Sequence, residues 1–335
     1  MKNVLYVGNA LSQRGKNLTS IEILSTHLKQ FCRVTTASSK QNKILRLLDM
    51  LLMVIKNSKQ ADFLLIDTYS TTNFYYAFII SQLSRLLKIK YIPILHGGNL
   101  ERRLLKNPIM SKMLFENAYR LVSPSYFLKN NFIDYGYNNI QYIPNIIEIN
   151  NYDFVNRPIS DINLLWVRSF NKIYNPTLAI HVVKELINRN EKVKLTMVGP
   201  KSDESFSEAQ TMAMTQQLDV NFTGKLSKKE WIDLSKESNV FINTTNFDNA
   251  PVSVIEAMAL GLPVVSTNVG GLPFLISHNE DGLLVPPDDV NAMTNAILSL
   301  KDDSNLKHKI VLNARNKVEQ FDWNNVKAKW KALLS

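Results

Sequence analysis

Two series of short apolar runs, each run followed by a segment of helical length, constrain this chain more than any other feature. In the first series the runs are 3–7 (NVLYV), 33–37, 62–66, 90–95, 119–123 and 140–143. Helix-length segments lie between them at 19–30, 41–59, 73–87, 100–117 and 125–134. Short, β-branched runs with this spacing predict strands buried on both faces, and strict strand–helix alternation predicts a doubly wound parallel sheet. A second series runs through 162–167 (INLLWV), 192–198, 220–224, 239–243, 262–266 and 282–286, with helices near 176–190, 204–217, 227–236, 251–260 and 288–301. Between the series, residues 143–161 are polar and interrupted by Pro144 and Pro158, the signature of a linker. The expectation is an α/β chain of two Rossmann-like domains, 1–150 and 151–318. The amphipathic, basic tail 319–335 is expected to be a helix packing back on the first domain. Ligands of open α/β sheets bind beyond the carboxyl ends of the strands, so a site is expected in a cleft between such edges. Many chemistries use this architecture, and function has to be read from the site.

The chain has 335 residues, enough for two cores, and 20 % charged residues, which argues against extensive disorder. Cys32 is the only cysteine, so neither an internal disulfide nor a cysteine-rich zinc site is available. No apolar run approaches the roughly 20 residues of a membrane-spanning helix, and the amino terminus reads as a strand rather than a signal peptide. A cytoplasmic location is expected. The net charge of +10 is lopsided: residues 1–150 hold 19 Lys and Arg against 8 Asp and Glu, and residues 151–335 hold 20 against 21. Such asymmetry fits an anionic partner for the first domain, or simply a solvated basic face. No aromatic–basic recognition motif accompanies it, so no nucleic acid is expected.

The stretch 243–273, NTTNFDNAPVSVIEAMALGLPVVSTNVGGLP, is the densest in chemistry. Pro251 suits the first turn of a helix, where its missing N–H costs nothing. The backbone N–H groups of Ser253 and Val254 would then be free, and with the helix dipole they suit a diphosphate. Asp248 on the preceding loop and Glu256 on the helix could each grip hydroxyl groups flanking it. Gly270 and Gly271 allow close backbone approach to a ligand. An ordinary amphipathic helix with a capping aspartate fits the same spacing. Arg168 follows a strand in LLWVRSFNKIYNP (164–176), where a guanidinium suits phosphate but is also common as a surface residue. His96 stands at a strand's carboxyl end in ILHGGN (94–99).

The acidic pair eight residues apart, followed by EAMALGLPVV (256–265), NVGGLP and EDGLLVPPDD (280–289), resembles the donor-site signature of the retaining family 4 glycosyltransferases, also called group 1. The likeness runs over nearly the whole chain, strongest from Asn243 to Pro287 and weakest before Lys90. It implies the GT-B fold, two Rossmann-like domains facing across a cleft, and a nucleotide-sugar substrate with no metal and no cofactor. By this resemblance Glu256 holds the ribose hydroxyls. Asp248 faces the sugar, where the family usually has glutamate, with a side chain about 1.5 Å shorter. Asn249 and Ala250 line the sugar pocket, and Ser253 and Val254 seat the diphosphate. Arg168 binds the diphosphate. The family's lysine six positions later is absent, leaving Lys172 or Tyr174 to take that role. Lys225 and Leu226, in VNFTGKLSKKE (220–230), correspond to the segment holding the base. His96 corresponds to a histidine near the transferred sugar and acceptor, and Gly15 to a glycine-rich turn beside the diphosphate.

The resemblance implies a retaining hexosyl transfer with His96, Arg168 and Asp248 at the reacting groups, and the basic first domain suggests a glycan or lipid-linked acceptor hydroxyl in cell-surface polysaccharide or glycolipid synthesis. An inactive binding protein, suggested by Asp248 and Tyr174, and a sugar-nucleotide epimerase of the same fold are the alternatives. The run ILRLLDMLLMVI (44–55), flanked by Lys40, Lys43, Lys56 and Lys59 and containing Arg46, suits either a core helix or a helix lying on an anionic membrane. Arg102, Arg103 and Lys106 form a second basic cluster.

Overall fold

A computed structural model describes residues 1–10 and 19–335. The chain divides into two units, one made of 1–146 and 323–335, the other of 147–322. Gly15 lies outside the described residues.

The first unit runs β1 (Lys2–Val7), α1 (Ser20–Leu28), β2 (Cys32–Ala37), α2 (Lys43–Asn57), β3 (Phe63–Thr68), α3 (Asn73–Leu86), β4 (Lys90–Leu95), α4 (Glu101–Lys106), α5 (Pro108–Phe115), β5 (Leu121–Ser123), α6 (Tyr126–Asp134) and β6 (Ile140–Tyr142). All strands pair in parallel in the order β2-β1-β3-β4-β5-β6. Every residue of β3 is buried, as a central strand covered on both faces requires. One core lies under α2 to α6, around Met50, Val54, Phe74 and Phe115; the other lies under α1 and the chain's last helix. The single helix expected over 100–117 is two, because Pro108 opens a new first turn where the chain leaves helical geometry at Asn107 (φ −130°, ψ 55°).

The second unit runs β7 (Ile162–Val167), α7 (Pro176–Asn188), β8 (Val193–Val198), α8 (Ser205–Thr215), β9 (Val220–Gly224), α9 (Lys228–Leu234), β10 (Val240–Asn243), α10 (Val252–Ala259), β11 (Val264–Thr267), α11 (Leu272–Leu275), β12 (Leu283–Val285), α12 (Val290–Asp302) and α13 (Ser304–Glu319). Its parallel sheet has the order β12-β11-β10-β7-β8-β9. Counted from β7, this is 3-2-1-4-5-6 read from the far edge, the dinucleotide-fold order, with the winding reversing between β7 and β10. Helices α11 and α13 were not anticipated from the pattern. The first is a single turn begun by Pro273; the second is capped by Asp303, whose carboxylate accepts the N–H groups of Asn305 and Leu306.

The last helix, α14 (Trp323–Leu333), belongs to the first unit. Trp323, Val326, Trp330 and Leu333, spaced three and four apart, are buried on one stripe. The Trp323 indole N–H donates to Gln30 at 2.9 Å and its ring lies 4.7 Å from that of His27.

Candidate functional site

The reversal point of the second sheet is where two predicted residues meet. Arg168 leaves the end of β7, its N–H donating to the Val198 carbonyl at 3.0 Å. A side chain at Gly199 would overlap the Arg168 carbonyl, so only glycine lets the loop after β8 pass this close. The Arg168 guanidinium forms an ion pair with Asp248, and its side chain is only 14 % exposed. It also lies 4.6 Å over the ring of Tyr174. Its Nε has no hydrogen-bond partner. Burial pushes the guanidinium down to about 10, and Tyr174 acts in the opposite direction. At neutral pH the charge is therefore retained.

Tyr174 and Lys172 part company. Both belong to one 3-10 turn, Lys172–Tyr174, capped by Asn171. Tyr174 faces Arg168, whereas the exposed Lys172 ammonium sits between Glu204, at 2.8 Å, and Glu208, at 3.7 Å. The hydrogen bond to Glu204 holds the Lys172 ammonium above its ordinary value. The polar run after β10 ties this turn down: Thr244 donates to the Tyr174 carbonyl at 2.8 Å and accepts the Trp166 indole N–H at 2.9 Å. Both Thr244 and Thr245 are fully buried.

Asp248 accepts the Asn249 N–H at 2.7 Å through its other oxygen, and its carbonyl accepts the Gly271 N–H at 2.9 Å. Gly270, at φ +54°, and Gly271 are needed here for a reason different from the expected one. A side chain at Gly270 would strike the Asp248 carbonyl, and one at Gly271 the Asn249 carbonyl. The close approach they permit is to the loop 248–249. Asn249 is buried and Ala250 half-buried.

Pro251 caps α10, and the expectation of two free N–H groups needs correction. The Val254 N–H bonds the Pro251 carbonyl at 3.2 Å, while those of Val252 and Ser253, the first two of the helix, have no carbonyl within it to bond. The Ser253 hydroxyl is buried without a hydrogen-bond partner. Glu256 is 4 % exposed on the same helix. It accepts from the Tyr152 hydroxyl at 2.8 Å and from the Lys228 ammonium, which also donates to Tyr152 at 3.3 Å. Burial first, and then Glu256, push the Tyr152 hydroxyl far above its ordinary value. Lys225 and Leu226 stand on the loop between β9 and α9, with Lys228 opening α9 behind the Ser227 cap.

In the first unit, His96 follows β4 and is 8 % exposed. Its Nε2 is 2.8 Å from Asp67, and its ring stacks on Tyr69 at 4.8 Å. Asp67 also accepts from Tyr6 at 2.7 Å, and any side chain at Gly8 would overlap it. Gly8 follows β1 and Asp67 is the last residue but one of β3, where this sheet reverses.

The family model for glycosyl transferases group 1 matches residues 153–317. This match covers nearly all of the second unit, 147–322. The amylovoran biosynthesis glycosyltransferase AmsK of Erwinia amylovora is 36 % identical over 106 residues, covering 30 % of this chain and 25 % of AmsK. The capsular polysaccharide biosynthesis glycosyltransferase CapM of Staphylococcus aureus is 28 % identical over 161 residues, covering 46 % of this chain and 42 % of CapM. The matched stretch thus spans less than half the length of either relative. HepE of Anabaena, solved with UDP and glucose, shares the fold over 100 % of this chain and 99 % of its own, with a TM-score of 0.78 at 17 % identity. Two six-stranded parallel sheets in this order make the fold GT-B, as expected.

Of the residues singled out in the sequence of this unit, Arg168 and Asp248 meet, while the groups that support Glu256 were missed. Tyr152 stood in the linker and Lys228 inside a polar helix start, with no periodic signal to single them out. Asp67 carried a weak signal, an acid ending an otherwise apolar strand.

Proposed function

We propose that the chain is a glycosyltransferase that moves a hexose-type sugar, with retention of configuration and without a metal, from a nucleoside-diphosphate sugar to a hydroxyl of a glycan or lipid-linked acceptor. The observation that carries this reading is Arg168: a buried guanidinium at the sheet's reversal point, stacked on Tyr174, with Nε unpartnered. A buried donor left unpaired costs about 1–3 kcal/mol, which an anionic ligand would recover. The unpartnered Ser253 hydroxyl and the first N–H groups of α10 favour the same diphosphate. Glu256, fixed by Tyr152 and Lys228, suits a pair of ribose hydroxyls, and the 225–226 segment suits the base. UDP and glucose in HepE, and the polysaccharide assignments of AmsK and CapM, support donor class and biological role.

The chemistry asked of these residues is mainly electrostatic. As the bond from the sugar's C1 to the diphosphate oxygen breaks, negative charge grows on that oxygen, and Arg168 with the α10 terminus stabilises it. Asp248, released from Arg168 by the diphosphate, turns to the sugar hydroxyls. The acceptor oxygen bonds C1 on the face the diphosphate leaves, and its proton passes to the departing phosphate oxygen. His96, oriented by Asp67, is the first unit's candidate for a hydrogen bond to the acceptor.

Thermal shift with UDP-, GDP- and ADP-sugars, in EDTA, on the wild type and Glu256→Gln tests the donor site. A donor-specific stabilisation that the variant loses supports the reading; stabilisation by none of them, followed by no transferred sugar with acceptor extracts, rejects it. The anomeric configuration of a product, read by NMR, tests retention.

A further inference from the structure

The run 44–55 folds as α2, and the structure gives it two apolar faces rather than one. Met50 and Val54 are buried against the sheet, with Leu47 and Leu51 packed beside them. Ile44, Leu48, Leu52 and Ile55, spaced four, four and three apart, form a second stripe that faces solvent at 71, 49, 65 and 53 % exposure. Leu45 widens it at 56 %. At 100° per residue these five occupy an arc of about 100°. An amphipathic helix that merely covers a sheet would put polar residues there.

The charges around this stripe are one-sided. Lys40 and Lys43 precede it, Lys56 and Lys59 follow it, and all four are exposed. Asp49 is the only acid between them. Arg46 does not belong to this set, because it is buried and donates to the Lys40 and Gln41 carbonyls and to Asn9. The basic cluster after His96 thins in the same way: Arg103 donates to the Ser70 carbonyl at 2.6 Å and lies over Phe74 and Tyr75. The first unit holds 22 Lys and Arg against 7 Asp and Glu, a net of +15, and the second a net of −5.

The apolar exposure continues across the same helical layer. Leu86 of α3, Leu105 of α4 and Ile109 of α5 are 78, 63 and 75 % exposed, and α3 packs between α2 and α5. On the other face of the sheet, α1 and α14 expose no large apolar side chain among the described residues. No helix of the described residues is long and apolar enough to cross a membrane.

We propose that the α2 face is a docking surface for an anionic lipid bilayer, with Ile44, Leu45, Leu48, Leu52 and Ile55 inserted among the headgroups and Lys40, Lys43, Lys56 and Lys59 on the anionic phosphates. Charge complementarity selects this occupant. A second copy of the chain would bring an equally basic face against the first, whereas an anionic surface attracts both ends of the helix. A stripe of exposed leucine and isoleucine rimmed by lysine is the composition of helices that lie in the interface plane. The inference stands apart from the donor site, since vesicle binding needs no turnover.

The test is co-flotation of the full chain with phosphatidylcholine vesicles containing 0 to 40 % phosphatidylglycerol. Binding is expected to rise with the anionic fraction, to fall as salt is raised, and to drop about fivefold for each lysine of the four changed to Gln. Leu48→Gln/Leu52→Gln is expected to weaken binding at least tenfold with an unchanged melting temperature, because both side chains already face water. No binding, binding that ignores the anionic fraction, or full binding by the leucine variant overturns the proposal. So does concentration-dependent self-association in sedimentation that the leucine variant abolishes. Should the double variant fold poorly, Leu52→Ser alone gives the same comparison.

Discussion

The hydroxyl of Tyr152 donates to the carboxylate of Glu256 at 2.8 Å, joining residues 104 positions apart in a buried pair that Lys228 completes. The tyrosine holds the carboxylate in one orientation from below. Removing the hydroxyl by Tyr152→Phe is therefore expected to weaken the proposed nucleotide binding about five- to tenfold, the worth of about one ordinary hydrogen bond. Isothermal titration with the nucleotide sugar that stabilises the wild type measures it. Glu256→Ala strands the Tyr152 hydroxyl and is expected to lower stability by about 1–3 kcal/mol as well, which is why Glu256→Gln is the better probe of binding.

Arg168→Lys keeps a positive charge but loses the planar fork and the stack on Tyr174. Turnover is expected to fall about 10²- to 10³-fold, the range for deleting a donor that stabilises developing charge. The pH dependence has a definite sign. Burial has lowered the guanidinium to about 10, so if its protonated form binds the diphosphate, affinity is expected to be flat from pH 7 to 9 and to decline as pH rises through 10. Affinity that already falls between pH 7 and 8 would exclude Arg168 as the titrating group.

Lys172 and Tyr174 are separable by mutation. With its ammonium between Glu204 and Glu208, Lys172→Ala is expected to change the donor KM less than threefold. Tyr174→Ala removes the ring beneath Arg168 and should cost about tenfold or more in kcat/KM, whereas Tyr174→Phe, which keeps the ring, should cost little. A large loss in Tyr174→Phe would instead mean that the hydroxyl itself reaches the diphosphate.

Gly271→Ala sets a methyl against the Asn249 carbonyl and forces the 248–249 loop aside. We expect a destabilisation of about 1–3 kcal/mol in urea unfolding, with a loss of donor affinity in the folded fraction.

Asp67→Asn keeps the shape of the carboxylate beside His96 but removes its charge. With His96 oriented by this pair, kcat is expected to fall about 10- to 100-fold while donor affinity stays within twofold. An equal loss in donor affinity would show a structural role alone.

Alternation of strand and helix periods was enough to read two doubly wound sheets from the sequence, because burial on both faces leaves an unmistakable apolar run in each strand. Asp248 and Glu256 were legible because they sit in one local strand–loop–helix segment, and Arg168 because it ends a strand; the roles proposed for them rest on a resemblance rather than on spacing. This local order, and the chemistry available at each strand end, are written in the chain itself. Which groups meet depends on pairing between distant segments. Sheet pairing sets β7 beside β10 although more than 70 residues separate them, and this brings Arg168 to Asp248. The same packing sends Lys172 to Glu204, spends the Val254 N–H on Pro251, and turns Gly270 and Gly271 toward the chain's own backbone. It also leaves Leu45, Leu48 and Leu52 of α2 in solvent, since the two apolar faces of this helix are alike in sequence and differ only in what packs against them.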